Sequence, residues 1–217
     1  MLAFIICWLG VFSLLVIGEW LRHLKLLKGE YHRKFIHFTV GVFAAFWPWI
    51  LSWHQIQWLG TAMLAVVLIN RYAKVFHFST GIGREEYGDI FFALAIVACA
   101  LLTDVKIFFA LAILHVAIAD AAATIVGKNF GKEWKYKVFH QTKTVLGSMT
   151  FWFVSVCLLA TGVMLGAHTI IDFRNYAVLI MALPPILTVV ENVSGLGLDN
   201  LSVPLFVILA LHIAQTV

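Results

Sequence analysis

Residues 106–126 read KIFFALAILHVAIADAAATIV, and only Lys106 and Asp120 in this run are charged. Twenty-one residues in an α-helix extend about 31 Å at 1.5 Å each, enough to cross a hydrocarbon core of about 30 Å. The apolar residues are continuous and do not alternate, so the run reads as a transmembrane helix and not as a barrel strand. Asp120 lies about 9 Å inside the C-terminal end of that helix. A carboxylate at such depth costs up to about 2.5–3.5 kcal/mol, less near a span end, so it is expected to face a polar cavity and have a partner. Asp120, Thr124 and Gly127 fall at i, i+4 and i+7, on one helix face, and the alanines around them allow close approach of another helix or a ligand.

Similar runs recur on both sides. Spans are expected near 2–20, 36–51, 56–70, 89–103, 106–126, 148–166, 176–191 and 201–217. The last contains Pro204 and is short. Residues 1–18 are apolar, without a basic n-region or a small-residue cleavage site, and read as a retained first span. The expectation is an all-α, polytopic membrane bundle of seven or eight helices, forming one domain over residues 1–217.

Composition agrees. The 217 residues hold 15 Lys+Arg and 11 Asp+Glu, 12% of the chain, and 62% are hydrophobic. A soluble domain carries about 25% charge, so a soluble enzyme, a disordered chain and a disulfide-stapled secreted domain are excluded. Cys7, Cys99 and Cys157 each sit in an apolar run and read as small buried hydrophobes. Trp20, Trp47, Trp49, Trp53 and Trp58 lie near span ends, as an interfacial aromatic belt requires.

The charges are unevenly placed. Thirteen of the fifteen basic residues fall between spans 1 and 2, 3 and 4, or 5 and 6, and only Lys106 and Arg174 fall in the alternate connections. The positive-inside rule makes the first set cytoplasmic and puts both termini on the opposite side. Such a basic bias reports topology and gives no sign of nucleic-acid binding.

Four constellations gather on that inner side. Tyr31-His32-Arg33-Lys34-Phe35-Ile36-His37 places Arg33 and His37 on one face at the mouth of span 2, with Lys34 beside them. Two cations at a helix start oppose its dipole, so an anionic ligand would relieve a local cost. Gly127-Lys128-Asn129-Phe130-Gly131-Lys132 comes after Asp120, and its glycines allow backbone N–H groups to turn onto an oxyanion. Its spacing is not that of a P-loop. Gln141-Thr142-Lys143-Thr144-Val145-Leu146-Gly147-Ser148 offers a point charge at Lys143 and hydroxyls at Thr144 and Ser148 at a helix start. Glu191-Asn192-Val193-Ser194-Gly195-Leu196-Gly197-Leu198-Asp199-Asn200 has two carboxylates and no basic residue, a ligand set suited to Mg²⁺. A weaker cluster, Gly83-Arg84-Glu85-Glu86-Tyr87-Gly88-Asp89, reads as a solvated loop or a lid. The remaining histidines lack zinc spacing.

Cations for phosphates, a carboxylate-held metal and a positioned acceptor are what phosphoryl or nucleotidyl transfer needs. With no soluble domain to bind it, the acceptor would arrive from the bilayer. RKxxH at 33–37, Asp120 with Gly127 and Phe130-Gly131, Lys143-Thr144 with Gly147-Ser148, and Glu191 with Gly197-Leu198-Asp199-Asn200-Leu201-Ser202-Val203-Pro204 occur in this order over about residues 20–205. In that order they resemble the CTP-dependent lipid kinases (dolichol, phytol or polyprenol, and yeast-type diacylglycerol kinases), which in turn resemble phosphatidate cytidylyltransferases. The resemblance implies CTP as phosphoryl donor, a divalent cation and a lipid alcohol acceptor, with Arg33, Lys34, Asp120 and Gly127 at positions that the family treats as functional. Leu146 stands where the family often has Glu.

On this reading Glu191 and Asp199 hold Mg²⁺, while Arg33, Lys34 and Lys143 neutralise phosphates. Gly127 and Gly131 let the backbone approach the nucleotide, and Lys128, Thr144, Gly147, Ser148 and Asn200 complete its site. Asp120 is either the base for the lipid hydroxyl or a further metal ligand, and His37 shares the catalytic face of Arg33. The alternatives are CMP transfer to a lipid phosphate, or a small transporter or scramblase with Asp120 as a coupling residue. One-sided polar chemistry without evident repeats disfavours transport.

Overall fold

The run from Lys106 forms the central helix of the molecule, α5 (Lys106–Phe130). It is the most buried of the long helices, with Phe108, Phe109, Leu111 and Ile113 fully enclosed. The computed structural model describes residues 1–73, 87–139 and 141–216, so Lys74 and the Gly83–Glu86 part of the weaker cluster lie outside the described residues. Before α5 come α1 (Leu2–His23), α2 (Glu30–Ala45), α3 (Trp53–Ala73) and α4 (Gly88–Leu102). After it come a two-stranded hairpin, β1 (Lys135–Val138) and β2 (Gln141–Thr144), then α6 (Val145–Met164), α7 (Phe173–Val193) and α8 (Asp199–Thr216). The protein is an all-α membrane bundle, as expected. Among the described residues α1, α5, α6, α7 and α8 are long and apolar enough to cross a bilayer, and α4 is a shorter apolar helix.

α5 packs against α2, α6 and α8; around it α1 lies on α2, α3 on α4, α4 on α8, and α7 between α6 and α8. Lipid is as apolar as the side chains, so close fit and small residues, more than expulsion of water, hold such helices together. A Cβ on Gly41 would sit 2.6 Å from that of Ala117, which fixes glycine at the α2–α5 crossing. On the far side of the bundle Tyr176 Oη donates to the Leu159 carbonyl at 2.7 Å, and the hydroxyl fills the space left by Gly162.

The structure moves three expected boundaries. Span 2 starts six residues early, at Glu30 after Gly29 (φ +52°), so Arg33, Lys34 and His37 are buried within the helix and not at its mouth. A hydropathy reading assigns that polar turn to a loop, but it faces a polar interior cavity and stays helical. The membrane span beyond Ala45 is completed by a 3₁₀ turn, Trp47–Trp49, around Pro48. Glu191 belongs to the last turn of α7 and Asp199 to the first turn of α8, which shortens the acidic connection to residues 194–198. Among the described residues the hairpin is the one departure from a helical bundle. Pro204 does not break α8.

Candidate active site

At residues 115–120, α5 widens into a π-turn that ends at Asp120. Such turns insert an extra residue into the helix and re-aim the side chains beyond it. Here the Asp120 carboxylate meets two others, Glu191 from the end of α7 and Asp199 from the start of α8. One oxygen from each of the three lies within 4.8 Å of the others. Asp120 and Glu191 are buried and Asp199 is half-buried. The Gly195-Leu196-Gly197 turn makes this possible: Leu196 and Gly197 both take left-handed backbone (φ +56° and +86°), reversing the chain between α7 and α8 within five residues.

Two lysines answer the three acids. Lys34 Nζ, buried on α2, donates to Asp120 Oδ2. Lys143 Nζ, on β2, donates to Glu191 Oε1 at 2.5 Å and to the Glu191 carbonyl at 3.3 Å. Burial pulls the Lys143 ammonium down, but Glu191 first and Asp199 next outweigh it and hold the group above the ordinary lysine value. The cluster sets three carboxyl groups against two amines. The hard oxygen donors gathered from three helices suit a divalent cation such as Mg²⁺, which takes one or two protein carboxylates and completes its shell with water and phosphate.

A polar cavity of about 410 Å³ opens over this cluster. Arg33, Lys34, Asp120, Gly127, Lys128, Lys143, Thr144, Gly147, Ser148, Glu191 and Asp199 all line it, so the structure brings these expected site residues to one end of the bundle. Gly131, His37 and Asn200 are not in its wall. Gly131 packs against Thr144. His37 is buried and stacks on Phe92 at 4.9 Å between centroids. Asn200 donates through Nδ2 to the Gly88 carbonyl at 3.2 Å, tying the start of α8 to that of α4. Leu146, at the position where a glutamate was expected, is 37% exposed and outside the cavity wall. The three carboxyl groups come together without a contribution from position 146.

The glycines have a structural task in this site. A Cβ on Gly127 would lie 2.6 Å from Thr144 Oγ1, and one on Gly147 would lie 2.8 Å from the same atom. Thr144 accepts from the Gly147 amide at 3.1 Å as the N-cap of α6. The absence of side chains at 127 and 147 therefore seats this cap between α5 and α6, at the cavity wall.

Several members of the site escaped the sequence reading. Glu30 lines the cavity and receives Arg33 through Nε at 3.1 Å and Nη2 at 2.8 Å, so Arg33 is a held, oriented cation. The i, i+3 spacing to Arg33 was the available signal. Tyr136 on β1 donates to Asn192 Oδ1 at 2.6 Å and also meets Ser148 Oγ, while Ser148 reaches Asn192 at 3.1 Å. Gln141 Nε2 donates to the Ser194 carbonyl at 3.4 Å. These bonds fasten the hairpin to the end of α7 and to α6. The alternating pattern of Lys135-Tyr136-Lys137-Val138 was the trace of a strand.

No protein-family model matches the chain, and no solved structure matches it. The chain is 28% identical over 202 residues to the phytol kinase of Synechocystis sp., an alignment covering 89% of this chain and 83% of that relative. This match, running over most of the chain that builds the cavity, supports the relationship of the chain to the CTP-dependent lipid kinases that its ordered motifs resemble.

Proposed function

We propose that the protein is a lipid kinase that transfers the terminal phosphoryl group of CTP to the hydroxyl of a membrane lipid alcohol, of the phytol, polyprenol, dolichol or diacylglycerol kind. The observation that carries the reading is the junction of three carboxylates, from α5, α7 and α8, with Lys34, Lys143 and Arg33 around one cavity. The phytol kinase likeness supports a lipid kinase in general terms.

Asp120, Glu191 and Asp199 would hold a divalent cation, which when bound would neutralise phosphate charge and orient the leaving group. Lys143, Arg33 and Lys34, which line the same cavity, would meet the nucleotide phosphates. Phosphoryl transfer asks a protein chiefly for positioning and electrostatic stabilisation, and a walled cavity of fixed cations provides both. In the transfer the lipid oxygen bonds to the terminal phosphorus and the bond from that phosphorus to its bridging oxygen breaks. The nucleoside diphosphate leaves, and the hydroxyl proton passes to a carboxylate of the cluster. The basic connections support a cytoplasmic position for this cavity, where nucleotide is available, with both chain termini opposite.

The test is purified protein with γ-labelled CTP, Mg²⁺ and phytol, farnesol, dolichol or diacylglycerol. Label on the lipid is expected. Label transferred from the α-position instead would establish cytidylyl transfer, and no transfer together with no CTP binding would overturn the reading.

A further inference from the structure

A second cavity, of about 310 Å³, lies between α1, α2, α3 and α4. It shares one residue with the first: Arg33 lines both. Apart from Arg33, His37 and Asp89, its wall is apolar, with Trp8 and Phe12 from α1 and Ala62 and Met63 from α3. α1 packs on α2 and α3 packs on α4, and contact between α1 and α3, which both line the cavity, is slight at most. That leaves a slot between two lipid-facing helices.

We propose that this cavity holds the single hydrocarbon chain of the acceptor alcohol, which enters from the bilayer between α1 and α3 and presents its hydroxyl beside His37 and Arg33. The proposal rests on the kinase reading above and narrows its substrate class to alcohols with one chain. Three observations commit it to that occupant. The shared Arg33 joins an apolar compartment to the polar one at a single point, which is the layout a molecule with one polar end requires. The volume is at the small end of the range of about 300–1,000 Å³ that encloses a drug-sized molecule, so it takes one chain and not two. At the junction His37, 3% exposed, lines the apolar cavity beside Arg33 and sets a hydrogen-bonding imidazole at its polar end.

The experiment uses the full chain in nanodiscs without nucleotide, photolabelled by a phytol analogue with a diazirine near the free end of its chain. Label is expected on the cavity faces of α1 and α3, displaced by unlabelled phytol and not by diacylglycerol. Ala62→Phe, which fills the cavity, should weaken saturable labelling about tenfold, while Ile69→Phe, on the lipid-exposed face of α3, should leave it unchanged. Label on outward-facing residues, label that phytol does not displace (a bilayer lipid as occupant), or equal displacement by diacylglycerol each overturns the proposal. The wild-type label decides the matter even if Ala62→Phe fails to fold. Competed label in the cavity without any transfer from CTP would sink the kinase reading and leave the cavity assignment standing; transfer with the label elsewhere would do the reverse.

Discussion

The Lys34–Asp120 contact joins two buried charges, and burial makes each depend on the other. Removing one partner of a buried pair costs about 3–5 kcal/mol, because the survivor stays charged in a poor solvent. In this site Glu191 and Asp199 stand close enough to share the burden of a bereaved Lys34, so Asp120→Asn should remain inserted and folded with a lowered unfolding midpoint. Transfer should fall by about 10²–10⁴-fold, the usual worth of a group that handles a proton or its equivalent in charge. Lys34→Met combined with Asp120→Asn should recover most of the lost stability and none of the activity. Thermal unfolding in detergent alongside the labelled-CTP assay separates the two effects, and a fully active Asp120→Asn would remove Asp120 from the mechanism. A second consequence concerns the cation. Glu191→Gln and Asp199→Asn should each raise the Mg²⁺ concentration that gives half-maximal activity by about tenfold or more, while the single change Leu146→Glu, outside the cavity wall, should leave it unaltered.

The elements that carry these residues were unequally legible. Asp120, Glu191 and Asp199 stood out because a carboxylate in an apolar chain demands a reason. Arg33 and Lys34 stood out for the same cause, yet the helix around them was read as beginning at residue 36. Hydropathy records what lipid tolerates and is blind to a polar turn that faces an interior cavity. The hairpin was illegible in practice, since four-residue strands leave little periodicity and their worth lies in the tertiary bonds of Tyr136 and Gln141. What the sequence suggested for Gly127 was approach to a nucleotide; what the fold adds is the seat of Thr144. Gly127→Ala should therefore force α5 and α6 apart, destabilising the protein by about 1–3 kcal/mol, and Thr144→Ala in the same chain should return part of the loss despite the missing cap. If Gly127→Ala is as stable as the native chain, the crossing is looser than the structure describes. The hairpin also brings a pH signature. Because Glu191 and Asp199 raise Lys143 above its ordinary value of about 10.4, its contribution is fully present below that pH and is lost only as pH climbs through the raised value. Lys143→Met should lower stability by about 2 kcal/mol, and by the same amount at about pH 8.5 and pH 9.5. A penalty that shrinks over that interval would show that Lys143 already loses its proton there.

For the whole molecule the scarcity of charge becomes a matter of address. The charged side chains that line the polar cavity come from the starts of α2 and α8, the ends of α5 and α7, and the hairpin, all at one end of the bundle. A chain of helices α1 to α8 that alternate in direction then carries its first and last residues to the other end. This layout bears on the proposed chemistry, in which nucleotide would come from the cytoplasm and the acceptor through the bilayer. The orientation rests on the basic connections and can be read directly. In a chain whose exposed Cys157 is replaced by serine, Cys7 and Cys99 stay buried and silent. Single cysteines are then placed at exposed Lys137, on the hairpin, and at exposed Ser52, between α2 and α3. A membrane-impermeant maleimide should label Ser52→Cys in intact cells and Lys137→Cys only after lysis. The opposite pattern would put the carboxylate cluster on the outer face, away from nucleotide, and with it would fall the assignment of CTP as donor. Labelling of both positions from one side would show that the chain does not cross the membrane between them, against five membrane-length apolar helices and the gathering of charge at one end of the bundle.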